Sequence, residues 1–107
     1  MASVAAQWRV SGFRRDDVSY YQVKDSSGHV HVVIGHVGTV FWAVPNGAIS
    51  ARTSLPSWRF RISENAVPSE VYRNAAFSLW RHDDGIQPVW SVELPGEPAG
   101  SVPKRLP

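Results

Sequence analysis

The chain has 107 residues, no cysteine and a formal charge of +2. That length builds one domain around one core. The missing cysteine excludes disulfides, thiolate nucleophiles and cysteine-held metal centres, and so small a charge excludes a strong polybasic or polyacidic footprint.

Residues 1–6 contain no basic segment followed by an apolar run, and no stretch of the chain is apolar for long enough to span a bilayer. The expected location is therefore the cytoplasm, with no membrane partner. Five Trp, four Phe and three Tyr supply the apolar area that so small a core needs, since each ring buries about 150–250 Å².

The first expected strand is 7–13, in which Trp8 and Val10 share a face, and Arg14-Arg15-Asp16-Asp17 then reads as a solvated loop. Three runs follow, 18–24, 29–34 and 39–44, rich in Val, Tyr, Phe and Trp. Asp25-Ser26-Ser27-Gly28 and Gly35-His36-Val37-Gly38 divide them, so the segment 18–44 reads as an antiparallel meander. In the expected register Tyr21 and Val23 share an apolar face with Val30 and Val32, while Lys24 faces His29 and Gln22 faces His31. A three-residue second turn, His36-Val37-Gly38, brings Val40, Trp42 and Val44 to that same face; a two-residue turn would put Trp42 on the opposite side.

Pro45-Asn46-Gly47 is a turn signal, and 48–56 reads as a polar surface loop. Residues 57–62 alternate, with Trp58, Phe60 and Ile62 on one face and Arg59 and Arg61 on the other, which predicts a strand. From 69 to 82 the apolar residues Val71, Tyr72, Ala75, Ala76, Leu79 and Trp80 form two rows at helical spacing, with Pro68 before them and Gly85 beyond. The spacing predicts an amphipathic helix over 69–82, with Phe77 alone off its stripe. The competing reading is a hairpin of 77–81 with 89–94 around Asp83-Asp84-Gly85. The last strand, 89–94, turns Trp90, Val92 and Leu94 inward and Ser91 and Glu93 outward.

The expected fold is thus α+β: a mostly antiparallel sheet of five or six strands with one helix packed on it. A single domain fills 1–94, and a flexible Pro/Gly-rich tail runs over 95–107.

Opposite the meander's apolar face stand Tyr20, Gln22, Lys24, His29, His31, Val33 and Phe41, too apolar for a solvated surface and too polar for a core. That composition suits a binding face. The expected function is non-enzymatic binding of a protein partner or of a second copy, giving a homo-oligomer, with Tyr20, His31, Phe41 and Arg59 as contact residues. Inhibitors and accessory proteins of mobile elements are often compact, cysteine-free and motif-poor in this way, which is association rather than mechanism. A second reading is nucleic-acid binding through an arginine stripe of Arg9, Arg14, Arg15, Arg59 and Arg61. A third builds a metal site or small enzyme on His29 and His31, with His36 nearby; Gln22, Lys24 and Ala43 are the expected cross-strand neighbours, and none is a carboxylate. No phosphate loop, nucleophile elbow or zincin motif occurs, and no cofactor is implied.

Overall fold

A computed structural model describes residues 7–44 and 52–96, and among these the chain is all-β. Eight strands run in order: β1 (Trp8–Arg15), β2 (Val18–Asp25), β3 (Val30–Val37), β4 (Val40–Ala43), β5 (Thr53–Ser54), β6 (Val67–Arg73), β7 (Ser78–Asp83) and β8 (Val89–Glu93). They form two four-stranded sheets, ordered β1-β2-β3-β4 and β5-β8-β7-β6. The first is antiparallel throughout, and in the second β5 alone runs parallel to its neighbour. The expected α+β fold, with one sheet of five or six strands and a helix, is thereby replaced by two sheets packed as a sandwich.

Turn chemistry explains the first sheet. Asp16 and Asp17 both hold positive φ, 53° and 68°, which is the backbone of a two-residue type I′ hairpin turn and which Asp tolerates better than most side chains. At the second hairpin the Asp25 carboxylate accepts hydrogen bonds from the Ser27 and His29 amides, and Gly28 takes the left-handed position. The third turn is Gly38-Thr39, with Gly38 at φ 60° and Val37 paired to Val40. It has two residues, where three were expected. The side chains of β4 are consequently reversed: Phe41 is buried at 3 % exposure, Val40 is 62 % exposed, and Trp42 lies on the outer side.

The β2–β3 register also differs from the expected one. Val23 pairs with Val32 and Gln22 with Val33, but Lys24 pairs with Val30, so a bulge between Val23 and Lys24 leaves His31 as the extra residue. Tyr21, Val23 and Val32 keep the inner face assigned to them, while Val30 joins Lys24 on the outside.

No helix forms over 69–82. Val67–Arg73 and Ser78–Asp83 are strands instead, separated by a loop in which the Asn74 carboxamide oxygen accepts hydrogen bonds from the Ala76 and Phe77 amides. That side-chain turn takes the backbone donors a helix would need. The competing hairpin is the one formed, with Leu79 opposite Val92 and His82 opposite Val89. Phe77, the misfit of the helical stripe, is 1 % exposed at the centre of the core.

The segment 57–62 is not a strand either. Leu55 and Trp58 exchange backbone hydrogen bonds around Pro56-Ser57, which leaves Trp58 exposed, and the strand lies earlier, at Thr53–Ser54, inside the expected loop. The turn expected at 45–47 and the tail beyond Gly96 lie outside the described residues.

The core joins both sheets: Val23, Val32, Ile34 and Phe41 from the first meet Val71, Phe77, Leu79, Trp90 and Val92 from the second. Each such side chain contributes about 1.5–3 kcal/mol of burial. On the outer side of the first sheet, a Cβ placed on Gly35 would lie 2.8 Å from the Trp42 indole, because the ring lies flat across the backbone there. Gly35→Ala is therefore expected to cost about 1–3 kcal/mol through overpacking, read from the urea midpoint. An unchanged midpoint would show that the indole does not lie across Gly35.

Candidate functional site

The two sheets treat their outer faces differently. On the first sheet, strand alternation turns Val10, Val23, Val32, Ile34 and Phe41 inward and leaves the intervening residues on a face that no described element covers. One cross-strand row there is aromatic. Phe13 pairs with Tyr20, Tyr20 with Gly35 and Gly35 with Trp42, so the row crosses all four strands. The Phe13 and Tyr20 rings stack with centroids 5.2 Å apart and planes 20° apart, and the Trp42 indole continues the strip over Gly35. Phe13 is 51 % exposed. Valines flank the row, with Val33 on one side and Val18, Val37 and Val40 on the other.

The charges on this face are of one sign. Arg9, Arg15 and Lys24 alternate onto it, while Asp25 turns to the opposite face and Asp16 and Asp17 occupy the hairpin turn. The face is thus apolar and aromatic at its centre and cationic at its margin.

Of the residues expected to make contacts, Tyr20 alone belongs to this face. The bulge carries His31 to the core side, where its Nε2 lies 2.9 Å from the Asp25 carboxylate and its ring meets Trp8 edge-on at 4.9 Å. Phe41 is in the core, stacked on His36 at 4.5 Å. Arg59 lies on the segment 55–63, where it donates to the Val92 carbonyl at 3.1 Å and to Glu93 at 2.8 Å.

The arginine stripe does not assemble. Arg9 and Arg15 share the open face, Arg14 alternates away from it towards Asp17, Arg59 is bonded to Glu93 of the second sheet, and Arg61 is exposed on the same segment as Arg59. Nor do the three histidines meet as metal ligands. His36 is buried between Tyr21 and Phe41, and its Nδ1 lies 3.0 Å from the Gly38 carbonyl. His29 and His31 do share a carboxylate, that of Asp25, which the sequence did not place near them. The His31 and Ser27 hydrogen bonds hold that carboxyl well below the usual range. Its bonds organise the turn, and the described residues contain no group of three or more ligands able to hold a metal.

The second sheet hides a polar layer on its far side. Ser54, Ser78, His82, Ser91 and Glu93 are all buried there, and residues 55–63 are pinned to this side through Arg59, which bonds Glu93, and through the Phe60 amide, which donates to Ser54 Oγ. His82 Nε2 lies 2.9 Å from Ser91 Oγ. Ser91 has no exposed surface, so this Ser-His pair is closed to a substrate in the described structure and acts as a buried hydrogen bond. Burial pushes the His82 imidazole below its ordinary value, with Glu93 opposing the shift and Arg59 adding to it. The sequence signal for this layer was present: Ser91 and Glu93 alternate with core residues on a strand whose other neighbours are apolar. What was missing was the knowledge that β8 is an interior strand. Comparison with protein families, with curated proteins and with solved structures returns no significant match.

Two outcomes test the layer. Arg59→Ala leaves Glu93 buried and unpaired and should cost about 3–5 kcal/mol, most of which Arg59→Met with Glu93→Leu should restore by removing both charges; a single variant as stable as wild type would refute the pairing. Burial holds the His82 imidazole of the fold below the ordinary value of 6.5, near which the unfolded chain protonates it. The unfolded state therefore binds more protons below that pH, and stability should fall as pH drops from about 7 to about 5. The slope should flatten in His82→Gln, and parallel profiles would contradict the burial of that imidazole.

Proposed function

We propose that this chain is a non-enzymatic binding protein of the cytoplasm whose open sheet face docks a protein partner. The observation that carries this reading is the aromatic row Phe13, Tyr20 and Trp42, which spans four strands, is flanked by valines and is rimmed by Arg9, Arg15 and Lys24. Aromatic side chains and arginine are enriched where protein interfaces form, and apolar patches of this kind on a soluble domain mark contact sites. The one-signed charge favours a partner that presents an apolar patch with carboxylates around it. Face-to-face docking of two copies would oppose like charges.

Single-stranded nucleic acid also pairs anions with aromatic stacking. The aliphatic flank favours protein, because Val18, Val33, Val37 and Val40 offer a base nothing to stack on. Ser91 in the polar layer has no exposed surface, so the proposed docking rests on the open face of the first sheet and not on that layer. No helix of the described residues is long and apolar enough to cross a membrane.

A photo-crosslinking phenylalanine analogue in place of Tyr20 tests the face, with the same analogue at Ile86, another exposed apolar residue, as the control. The expected result is a discrete adduct to a different protein from position 20 and none from position 86, with the adduct lost when Trp42 is also changed to Ala. A nucleic-acid adduct, no adduct, or equal labelling from both positions would overturn the proposal.

A further inference from the structure

The four sheet edges are not alike. Among the described residues β5 has two residues, β4 has four, and β6 contains Pro68 and a bulge between Glu70 and Tyr72. Each is a poor template for another strand, in the ways that soluble proteins blunt their edges. β1 is different: eight residues in unbroken register with β2, without proline or bulge, and with no described strand on its other side.

The side chains of β1 say what fits that edge. A two-fold axis perpendicular to the sheet pairs β1 antiparallel with itself and keeps both open faces on one side, which requires residues of the same face to stand opposite each other. The axis must then pass through a residue. Centred on Gly12, it opposes Arg9 to Arg15 of the second copy, a like-charge pair made twice. Centred on Val10 or Phe13, it shortens the overlap at one end of the strand.

Centred on Ser11, it overlaps residues 8–14 and opposes Arg9 to Phe13 and Trp8 to Arg14, each made twice by symmetry. Every arginine within the overlap then faces an aromatic ring, the arrangement of a cation–π pair. Val10 meets Gly12, and Ser11 meets its own copy.

We propose that the protein is a homodimer in which β1 pairs antiparallel with β1 of a second copy about a two-fold axis at Ser11. The two first sheets then form one eight-stranded sheet, and the open faces lie side by side. This inference rests on the edge of the sheet and not on the docking of a partner to its face.

The chain has no cysteine, so introduced thiols report the geometry without background. In the proposed register the two residues at position 11 have Cβ atoms about 4.5–5.5 Å apart, close enough for a disulfide with small adjustment. Positions 9 of the two copies are four residues apart along the strand, about 13 Å, and cannot join.

Light scattering on the wild-type protein should give twice the monomer mass at hundred-micromolar concentration. Mild oxidation should link Ser11→Cys into a covalent dimer and leave Arg9→Cys unlinked. Phe13→Arg, which opposes Arg9 with a like charge, should weaken the dimer at least tenfold, whereas Phe13→Glu should retain it. A monomeric wild type, a dimer in which Ser11→Cys does not link, or linking of Arg9→Cys as readily as Ser11→Cys would each overturn the proposal.

Discussion

Among the described residues, Phe77 gathers more rings between the two sheets than Trp90, which meets Trp8 edge-on at 5.1 Å. Phe77 projects from the loop before β7 into a ring of Tyr21, His36, Phe41 and Tyr72, with centroids between 5.1 and 5.8 Å from its own. Three of those four rings belong to the first sheet, so this loop residue ties the layers at one place, while Trp90 against Trp8 and His31 ties them at another. The contact depends on turns far from it in sequence. Phe41 reaches it because Gly38-Thr39 closes its hairpin with two residues, and Tyr21 can lie across the sheet because Gly12 leaves room, a Cβ there falling 3.0 Å from the tyrosine ring. Turn backbone, side-chain facing and core packing thus agree on one arrangement, the condition for a sequence to specify a single fold.

Once that core is closed, the remaining two faces meet opposite fates. The far face of the second sheet is polar and covered, and it is covered because it is polar in a particular way. Glu93 at 1 % exposure needs a cation, and Arg59 on residues 55–63 supplies one while also satisfying the Val92 carbonyl. The segment is therefore tied down by charge as well as by Leu55 packed against the core, with Trp58 left 75 % exposed beside the arginine. The open face of the first sheet reverses this: its centre is aromatic and aliphatic, Ser11, Gln22 and the cations Arg9, Arg15 and Lys24 stand beside it, and no described element lies over it.

Much of the first sheet was legible in the sequence because its signals are local. The meander, the hairpin at Asp25–Gly28 and the inward set of Tyr21, Val23 and Val32 follow from alternation and turn residues, and Tyr20 was correctly placed on the outer face. Phe41 and His31 were misplaced by single-residue events, a turn shorter by one residue and a bulge, each of which moves side chains to the other face. In the second sheet, Val71, Tyr72 and Leu79 all reach the core as the apolar rows of 69–82 require, but through a bulge between Glu70 and Tyr72 and the Asn74 turn, which i, i+4 spacing does not distinguish from a helix. Phe77 was the discriminating residue. A large aromatic off a helical stripe is a cost to a helix and an asset to a strand. Arg59 was read as a contact residue because alternation in 57–62 implied a strand with its arginines on the face away from Trp58 and Phe60, whereas Pro56-Ser57 folds the chain back at Trp58 and Arg59 pairs with Glu93.

The edge of β1 and the open face belong to the same sheet without competing for the same atoms. Strand pairing at the edge uses backbone donors and acceptors that lie in the plane of the sheet, whereas docking on the face uses side chains perpendicular to it. Pairing at Ser11 would draw Arg9 towards an aromatic ring and so remove part of the cationic margin from the seam between the two copies. Arg15 and Lys24 would remain on either side of a doubled aromatic surface. A partner with a repeated acidic and apolar motif would then meet two sites fixed in one sheet, and its second contact would cost far less entropy than its first.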